Sequence, residues 1–178
     1  MQAPLKVLAI GASNSKNSIN RRLARFAASS FEGAVVDDLD LNALEMPLFS
    51  VDREAAGGVP PQASEFLARI AAADVVVLSL AEHNGSYSVA FKNVLDWASR
   101  LNGKPFQSKP MLLMATSTGG RGGASALEAA KGRFPFMGAD IRGTFSLPLF
   151  DQNFDDARGI TSSELRATLL GLIAAMRA

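Results

Sequence analysis

The chain has 178 residues, 48% of them apolar, with Lys+Arg 18 against Asp+Glu 17, one histidine and no cysteine. At about 150 residues per domain, this length predicts a single domain over residues 1–178, with a substantial core and no disordered character. Lack of cysteine excludes thiol nucleophiles and sulfur-held metals, the lone His83 excludes multi-histidine metal sites, and a formal net charge of +1 provides no electrostatic footprint for nucleic acid.

Residues 1–11 carry one lysine and too short an apolar run for a secretory signal. The apolar run from Leu5 to Ile10 predicts a first strand ending at Gly11, and Ile19, Leu23, Phe26 and Ala27 then recur at helical spacing. Ala34 to Leu39 reads as a more polar strand, nearer an edge. Met46 to Pro61, rich in Gly and Pro, reads as a long loop of the mobile or functional kind. Pro60-Pro61 opens a helix with Ala63, Phe66, Leu67 and Ile70 on one face. Val75 to Leu80 is continuously apolar, as a strand covered on both faces requires.

Phe91, Val94, Leu95, Ala98 and Leu101 form the next helical stripe, with Trp97 off it and so expected at the surface. Lys92 with Asp96, and Asp96 with Arg100, are spaced for ion pairs along that helix. Met111 to Thr116 is a fourth strand, followed by a glycine-rich turn and a helix over Ala124 to Lys131. Ile141 to Leu147 is a fifth. A last helix, capped by Thr161 with Glu164, buries Leu165, Leu169, Leu172, Ile173 and Met176. Its uncharged run is shorter than the roughly 20 residues of a membrane span, so a soluble cytoplasmic protein without membrane partners is expected.

Five strand–helix alternations predict an α/β fold of three layers: a doubly wound, flavodoxin-like, five-stranded parallel sheet of order 2-1-3-4-5. Ligands of such sheets bind beyond the carboxyl ends of the strands, where strand order reverses. The loops after strands one, three and four are therefore the candidates.

The first loop, Gly11 to Asn20, packs three hydroxyls (Ser13, Ser15, Ser18) and three amides (Asn14, Asn17, Asn20) before a helix N-terminus. Such a terminus offers unsatisfied N–H groups and favours an anion, with Lys16 and Arg21 as possible charges. Phosphate binding and a plain polar turn capped by Ser18 both fit. Neither G-x-G-x-x-G nor G-x-x-x-x-G-K-[ST] is present. The third-strand loop, Glu82 to Ser88, concentrates groups suited to a planar heterocycle: His83 or Tyr87 as a flat surface, Asn84 and Ser86 as polar contacts. A hydrolase with His83 as base lacks the G-x-S-x-G elbow. The fourth loop, Ser117 to Gly123, has four glycines in five positions, which permits close backbone approach or a flexible turn.

Together these loops resemble the NADPH-dependent FMN reductases, a family that includes NAD(P)H:quinone, chromate and azo reductases. The resemblance lies in Ala12-Ser13-Asn14-Ser15-Lys16-Asn17-Ser18-Ile19-Asn20, in Ala81-Glu82-His83-Asn84-Gly85-Ser86, in Lys92-Asn93-Val94-Leu95-Asp96-Trp97-Ala98-Ser99-Arg100, and in Ser117 to Gly123. It implies FMN held non-covalently, its phosphate on Ser13, Ser15, Ser18, Ile19 and Asn20. Glu82, His83, Asn84, Gly85 and Ser86 would line the ribityl chain and ring, and Ser117, Gly119, Gly120 and Arg121 the pyrimidine edge. Ser15 stands where the family usually has Arg, Ala81 where it has Pro, and His83 where it has Tyr.

The implied activity is ping-pong hydride transfer from NADPH or NADH to FMN and on to a quinone or similar small acceptor. No acid–base side chain is required, because the cofactor carries the chemistry. The resemblance also implies a homodimer or homotetramer through the Lys92–Arg100 helix, with Trp97 as anchor. A flavodoxin-type carrier without nicotinamide activity, and a flavin-free interaction protein of the same fold, are the competing readings.

Overall fold

The computed structural model describes residues 3–177. Its centre is a parallel sheet of β1 (Lys6–Ala12), β2 (Val35–Leu39), β3 (Val75–Leu80), β6 (Pro110–Thr116) and β7 (Asp140–Leu147), in the order β2-β1-β3-β6-β7. Two short strands, β4 (Glu82–His83) and β5 (Ser86–Tyr87), form a separate antiparallel hairpin between β3 and β6. With that hairpin set aside, the order is the expected 2-1-3-4-5.

The pleat divides the core. Leu8, Ile10, Leu78, Leu80, Met111 and Leu113 face one side, under α3 (Pro61–Ala72), α4 (Val89–Leu101) and α5 (Ala124–Arg133). Val7, Ala9, Val75, Val77, Leu112 and Met114 face the other, under α1 (Ile19–Ser29) and α7 (Ser163–Arg177). Successive strand residues point to opposite faces, so a strand covered on both is apolar at nearly every position, and any buried hydroxyl needs a partner. Every residue of β3 is buried. Gly11 lets α1 cross close over β1, since a Cβ there would lie 2.4 Å from the Arg21 backbone.

Several expectations are corrected. The segment from Met46 to Pro61 is not an open loop. It holds α2 (Val51–Gly57), capped where Ser50 Oγ accepts from Arg53 N at 3.1 Å and closed by Gly58 at φ 72°. No residue of α2 is buried, so it shows no apolar stripe. Trp97 is 1% exposed, not a surface anchor. Its ring meets Phe49 edge-on at 5.0 Å and its Nε1–H donates to Pro47 O at 2.7 Å. The segment before α2 therefore covers the flank of α4 on which Trp97 lies. Leu101, expected in the core, is 49% exposed. Lys92 pairs with Asp96 as spaced, but Arg100 pairs with Glu54 of α2 at 2.9 Å, not with Asp96.

At the other end, the cap of α7 is Ser162, whose Oγ accepts from Leu165 N at 3.4 Å. Thr161 instead donates its hydroxyl to Gln152 O. A turn of helix α6 (Phe150–Asn153) and a hairpin of β8 (Phe154–Asp155) with β9 (Gly159–Ile160) connect β7 to α7. No helix among the described residues is long and apolar enough to cross a membrane.

Candidate functional site

Three loops meet beyond the carboxyl ends of β1, β3 and β6, and buried side chains lock them together. Asn20, 3% exposed in the first turn of α1, donates through Nδ2 to Thr116 O at 3.2 Å. Its Oδ1 accepts from Ser79 Oγ at 2.7 Å and from Thr116 N at 3.1 Å. One amide thus ties α1 to the ends of β3 and β6. Ser88, the cap of α4, donates Oγ–H to Ala12 O at 2.8 Å and accepts from Phe91 N, which pins α4 to the end of β1. Glu82 Oε2 accepts from Ser125 N at 2.9 Å and Ala126 N at 3.0 Å, joining the hairpin to the N-terminus of α5.

The first loop presents donors. Ser13 Oγ accepts from Ser15 N, and Ser18 Oγ accepts from Arg21 N at 3.1 Å as the cap of α1. Neither hydroxyl, nor that of Ser15, donates to another described residue, so each O–H is available. The N–H groups of Ile19 and Asn20, first in α1, likewise have no acceptor among the described residues. Capping and phosphate binding are therefore compatible, because the cap uses the lone pair of Ser18 and leaves its proton. Asn20 departs from its expected role. Its side chain is a brace, and what it offers a ligand is its backbone N–H.

Arg21 is also withdrawn from the loop. Its guanidinium grips Asp38 through Nε at 3.1 Å and Nη2 at 3.0 Å, and reaches Asp40 at 2.6 Å. The hydrogen bond to Asp38, with the charges of Asp38 and Asp40, pushes its already high pKa further up. Asp40 is held below the usual carboxylate range, chiefly by the backbone N–H of Asn42, with Arg21 adding to it. Lys16, exposed, is left as the positive charge of the loop itself.

The third-strand loop is a built hairpin. Asn84 at φ 52° and Gly85 at φ 78° turn it, the left-handed pair of a type I′ turn, and His83 pairs with Ser86. His83, Asn84, Gly85 and Ser86 are all exposed, at the tip. Tyr87, expected as a flat surface for a ligand, instead packs its ring against Phe134 at 5.3 Å. Glu82 lies beneath the tip, its carboxylate turned into the protein. It braces the loop that it was expected to line.

In the fourth loop the glycines divide into two kinds. Gly122 (φ 57°) and Gly123 (φ 78°) are structural: a Cβ would meet Ser146 Oγ at 2.3 Å in one case and Ala115 Cβ at 2.8 Å in the other. Gly119 and Gly120 have open space where a Cβ would stand, the nearest atom to that of Gly119 being Ser117 Oγ at 3.8 Å. Their lack of side chains leaves the backbone accessible from outside. Gly119 O accepts from Leu149 N and Ser117 O from Phe150 N, so the loop is anchored from behind. Arg121 is exposed and donates to Ser125 Oγ.

Two cavities adjoin this assembly. One, of about 230 Å³, lies between Asn14, Met46, Leu48, Val89 and Asn93; the other, of about 400 Å³, between His83, Asn84, Ser86, Tyr87, Val89 and Lys92. Sequence reasoning missed Ser79, Thr116, Ser88 and Ser125 as parts of the site. A signal existed for Ser79, the one hydroxyl inside the apolar run Val75–Leu80: a buried polar side chain needs a partner.

Residues 5–152 match the family model for NADPH-dependent FMN reductases. An NADPH:quinone oxidoreductase of Arabidopsis thaliana is 32% identical over 180 residues, covering 94% of this chain and 90% of its own length. A protein of Oryza sativa subsp. japonica described as a probable NADPH:quinone oxidoreductase is 38% identical over 100 residues, 54% of this chain and 48% of its own. Among solved structures, the flavoenzyme NAD(P)H:(acceptor) oxidoreductase from Paracoccus denitrificans superposes with TM-score 0.75 at 24% identity, covering 97% of this chain and 94% of that one. At that identity the likeness concerns the fold.

Proposed function

The chain belongs to the NADPH-dependent FMN reductase family, and from that premise we propose that it passes electrons from NAD(P)H through FMN to a quinone or a similar flat acceptor. One observation carries the reading. The hydroxyls of Ser13, Ser15 and Ser18 and the N–H groups of Ile19 and Asn20 donate to no acceptor among the described residues, at a helix N-terminus that Asn20 ties to the end of β6, from which the loop of Gly119 and Gly120 leaves.

The donor set fits a phosphate. Several neutral donors with the positive end of α1 behind them suit a dianion, and Lys16 supplies a point charge where the family has a guanidinium. Arg21 cannot fill that place, because Asp38 and Asp40 hold it. When bound, FMN supplies the capacity to accept a hydride and release electrons singly or in pairs. The protein contributes position and polarity: the braces at Asn20, Ser88 and Glu82 hold the loops in fixed relation, and N–H groups of the Gly119–Gly120 segment would favour negative charge brought near them. Arg121, within the same loop, ties that segment to the first turn of α5 through Ser125 Oγ. No side chain is asked to move a proton.

Purified protein should carry flavin absorbance, lose it on anaerobic addition of NADPH, and regain it when a quinone is added. Flavin absorbance that NADPH does not bleach would make the chain a carrier, and absence of flavin affinity would remove the site altogether.

A further inference from the structure

On the far side of α1 from the sheet lies a cavity of about 460 Å³, walled by α1, by the β8–β9 hairpin and by the start of α7. Four arginines line it: Arg22 and Arg25 from α1, Arg158 from the hairpin and Arg166 from α7. Among the described residues, Asp156 is the one acidic residue in the lining. We propose that this cavity is a binding site for a small, multiply charged phosphate compound, a phosphate ester or a pyrophosphate, separate from the flavin loops.

Three of the four arginines spend only Nε on carboxylates. Arg22 meets Asp156 through Nε at 2.7 Å. Arg25 meets Asp38, and Arg158 meets Asp155, again through Nε and at 3.4 Å in both cases. The paired terminal nitrogens of these three arginines donate to no acceptor among the described residues. A guanidinium presents its terminal N–H groups as a planar fork matched to oxyanions, so three such forks around one cavity form a donor cage. Arg166 has no carboxylate partner among the described residues; it donates through Nη1 to Arg158 O.

Two of the four heads also rest on aromatic rings. Arg22 lies over the Phe150 ring at 4.8 Å and the Phe154 ring at 5.5 Å, and Arg166 over Phe26 at 5.8 Å. Phe150 and Phe154 stack at 4.7 Å, and Phe26 meets Phe154 edge-on at 5.8 Å, so these two arginines share one aromatic floor, while Arg25 and Arg158 are exposed. Gly159 permits that floor, since a Cβ there would fall 2.0 Å from the Phe26 ring. Ordering costs on binding are thereby reduced.

Size and charge select the ligand class. A cavity of this volume holds a small metabolite and not a dinucleotide. A phosphate monoester carries close to two negative charges at neutral pH and three acceptor oxygens, which a monocarboxylate lacks. A chain whose overall charge is only +1 concentrates four of its arginines here.

The test uses FMN-loaded protein, so that the flavin loops are filled, and titrates it with inorganic pyrophosphate at low salt, followed by calorimetry and by the amide resonances of Ala157 and Gly159. Saturable binding that shifts those two amides is expected, with malonate at least about tenfold weaker because it carries less negative charge and fewer acceptor oxygens than pyrophosphate. An Arg158→Gln/Arg166→Gln double variant, with flavin content unchanged, should lose at least about tenfold in pyrophosphate affinity. No saturable binding, equal affinity for malonate, a double variant that binds as tightly as the original, or shifts confined to Ser13–Asn20 would each overturn the proposal. Because the readout is binding at Ala157 and Gly159, its failure leaves the flavin reading untouched; were the protein to take up no flavin, the same titration of the flavin-free chain, read at those two amides against Ser13–Asn20, would still test the cavity.

Discussion

Replacing Glu82 with alanine isolates the brace between the hairpin and the glycine loop. Glu82 Oε2 accepts two N–H groups, from Ser125 at 2.9 Å and Ala126 at 3.0 Å. The residue before α5 is Gly123, which has no side chain to cap the helix. The carboxylate thus does from a distance what an N-cap residue does locally, and loss of such a cap costs about 0.5–2 kcal/mol. Two bonds to one half-buried anion, with the helix dipole behind them, place Glu82→Ala in the upper half of that range, about 1–2 kcal/mol. Glu82→Gln keeps an acceptor oxygen and loses only the charge, which predicts about 0.3–1 kcal/mol. Urea unfolding of flavin-free protein measures both without contributions from ligand linkage. Flavin titration then asks whether the brace organises the site, with weaker FMN binding expected in the order Ala, Gln, wild type. A Glu82→Ala protein as stable as the original would refute the capping role. One that lost stability but bound FMN unchanged would refute the coupling of the two loops.

Ser18→Ala should weaken FMN by roughly 1–2 kcal/mol through loss of a hydrogen bond to a charged group, while riboflavin, lacking phosphate, should bind weakly to both proteins; equal losses for the two ligands would remove the first loop from phosphate recognition. Trp97→Ala should cost about 3–5 kcal/mol in urea unfolding, the range for truncating a buried aromatic, with no change in sedimentation mass of the folded fraction, since the ring is 1% exposed within its own chain; a fall in mass without loss of stability would restore an interface role. Asp40 is held below the ordinary carboxylate range, so its contribution is complete above the unfolded pKa and is lost as pH falls through the lower folded value. Asp40→Asn should therefore be less stable than the original at neutral pH and lose less on acidification below about pH 4, and parallel pH profiles would refute that assignment.

The sheet was legible because its constraint is local. A strand covered on both faces must be apolar except where a buried hydroxyl finds a partner, and Val75–Leu80 and Met111–Thr116 are near-continuous apolar runs broken only by Ser79 and Thr116, both hydrogen-bonded. The switch-point loops were legible from composition, since Ser13–Ser18 and Ser117–Gly123 lack the side chains that would fill a core. The bracing by Asn20 and Glu82 was not legible for one reason: a polar residue in a candidate loop looks the same whether it turns toward a ligand or toward Thr116 O or Ser125 N. The partners are 96 and 43 residues away. Trp97 was misread because the stripe on α4 registers only the cover that the sheet supplies. Its second cover, Pro47 and Phe49, comes from a segment with little periodicity of its own. The hairpin carried a sufficient signal, Asn84-Gly85, whose two positive φ angles are what a two-residue turn demands.

His83 bears on the acceptor half of the proposed reaction. It stands exposed on the hairpin tip and lines the 400 Å³ cavity with Asn84, Ser86 and Lys92, while no hydrogen bond among the described residues orients its ring. A residue so placed contacts whatever enters the cavity but takes no part in bracing the loops, so its replacement should alter choice among acceptors and not the integrity of the site. In the proposed ping-pong order NAD(P)+ leaves before the acceptor arrives, so each half-reaction can be timed alone. His83→Tyr exchanges a small imidazole for a larger phenol. Differential contacts of that kind shift relative rates among quinones by about 1 kcal/mol, or several-fold. Stopped-flow reduction by NADPH should change less than twofold (~0.4 kcal/mol) by the same measure. If instead the substitution abolished reduction by NADPH and spared reoxidation by quinones, His83 would serve the nicotinamide step, and the cavity would be the entry for the donor.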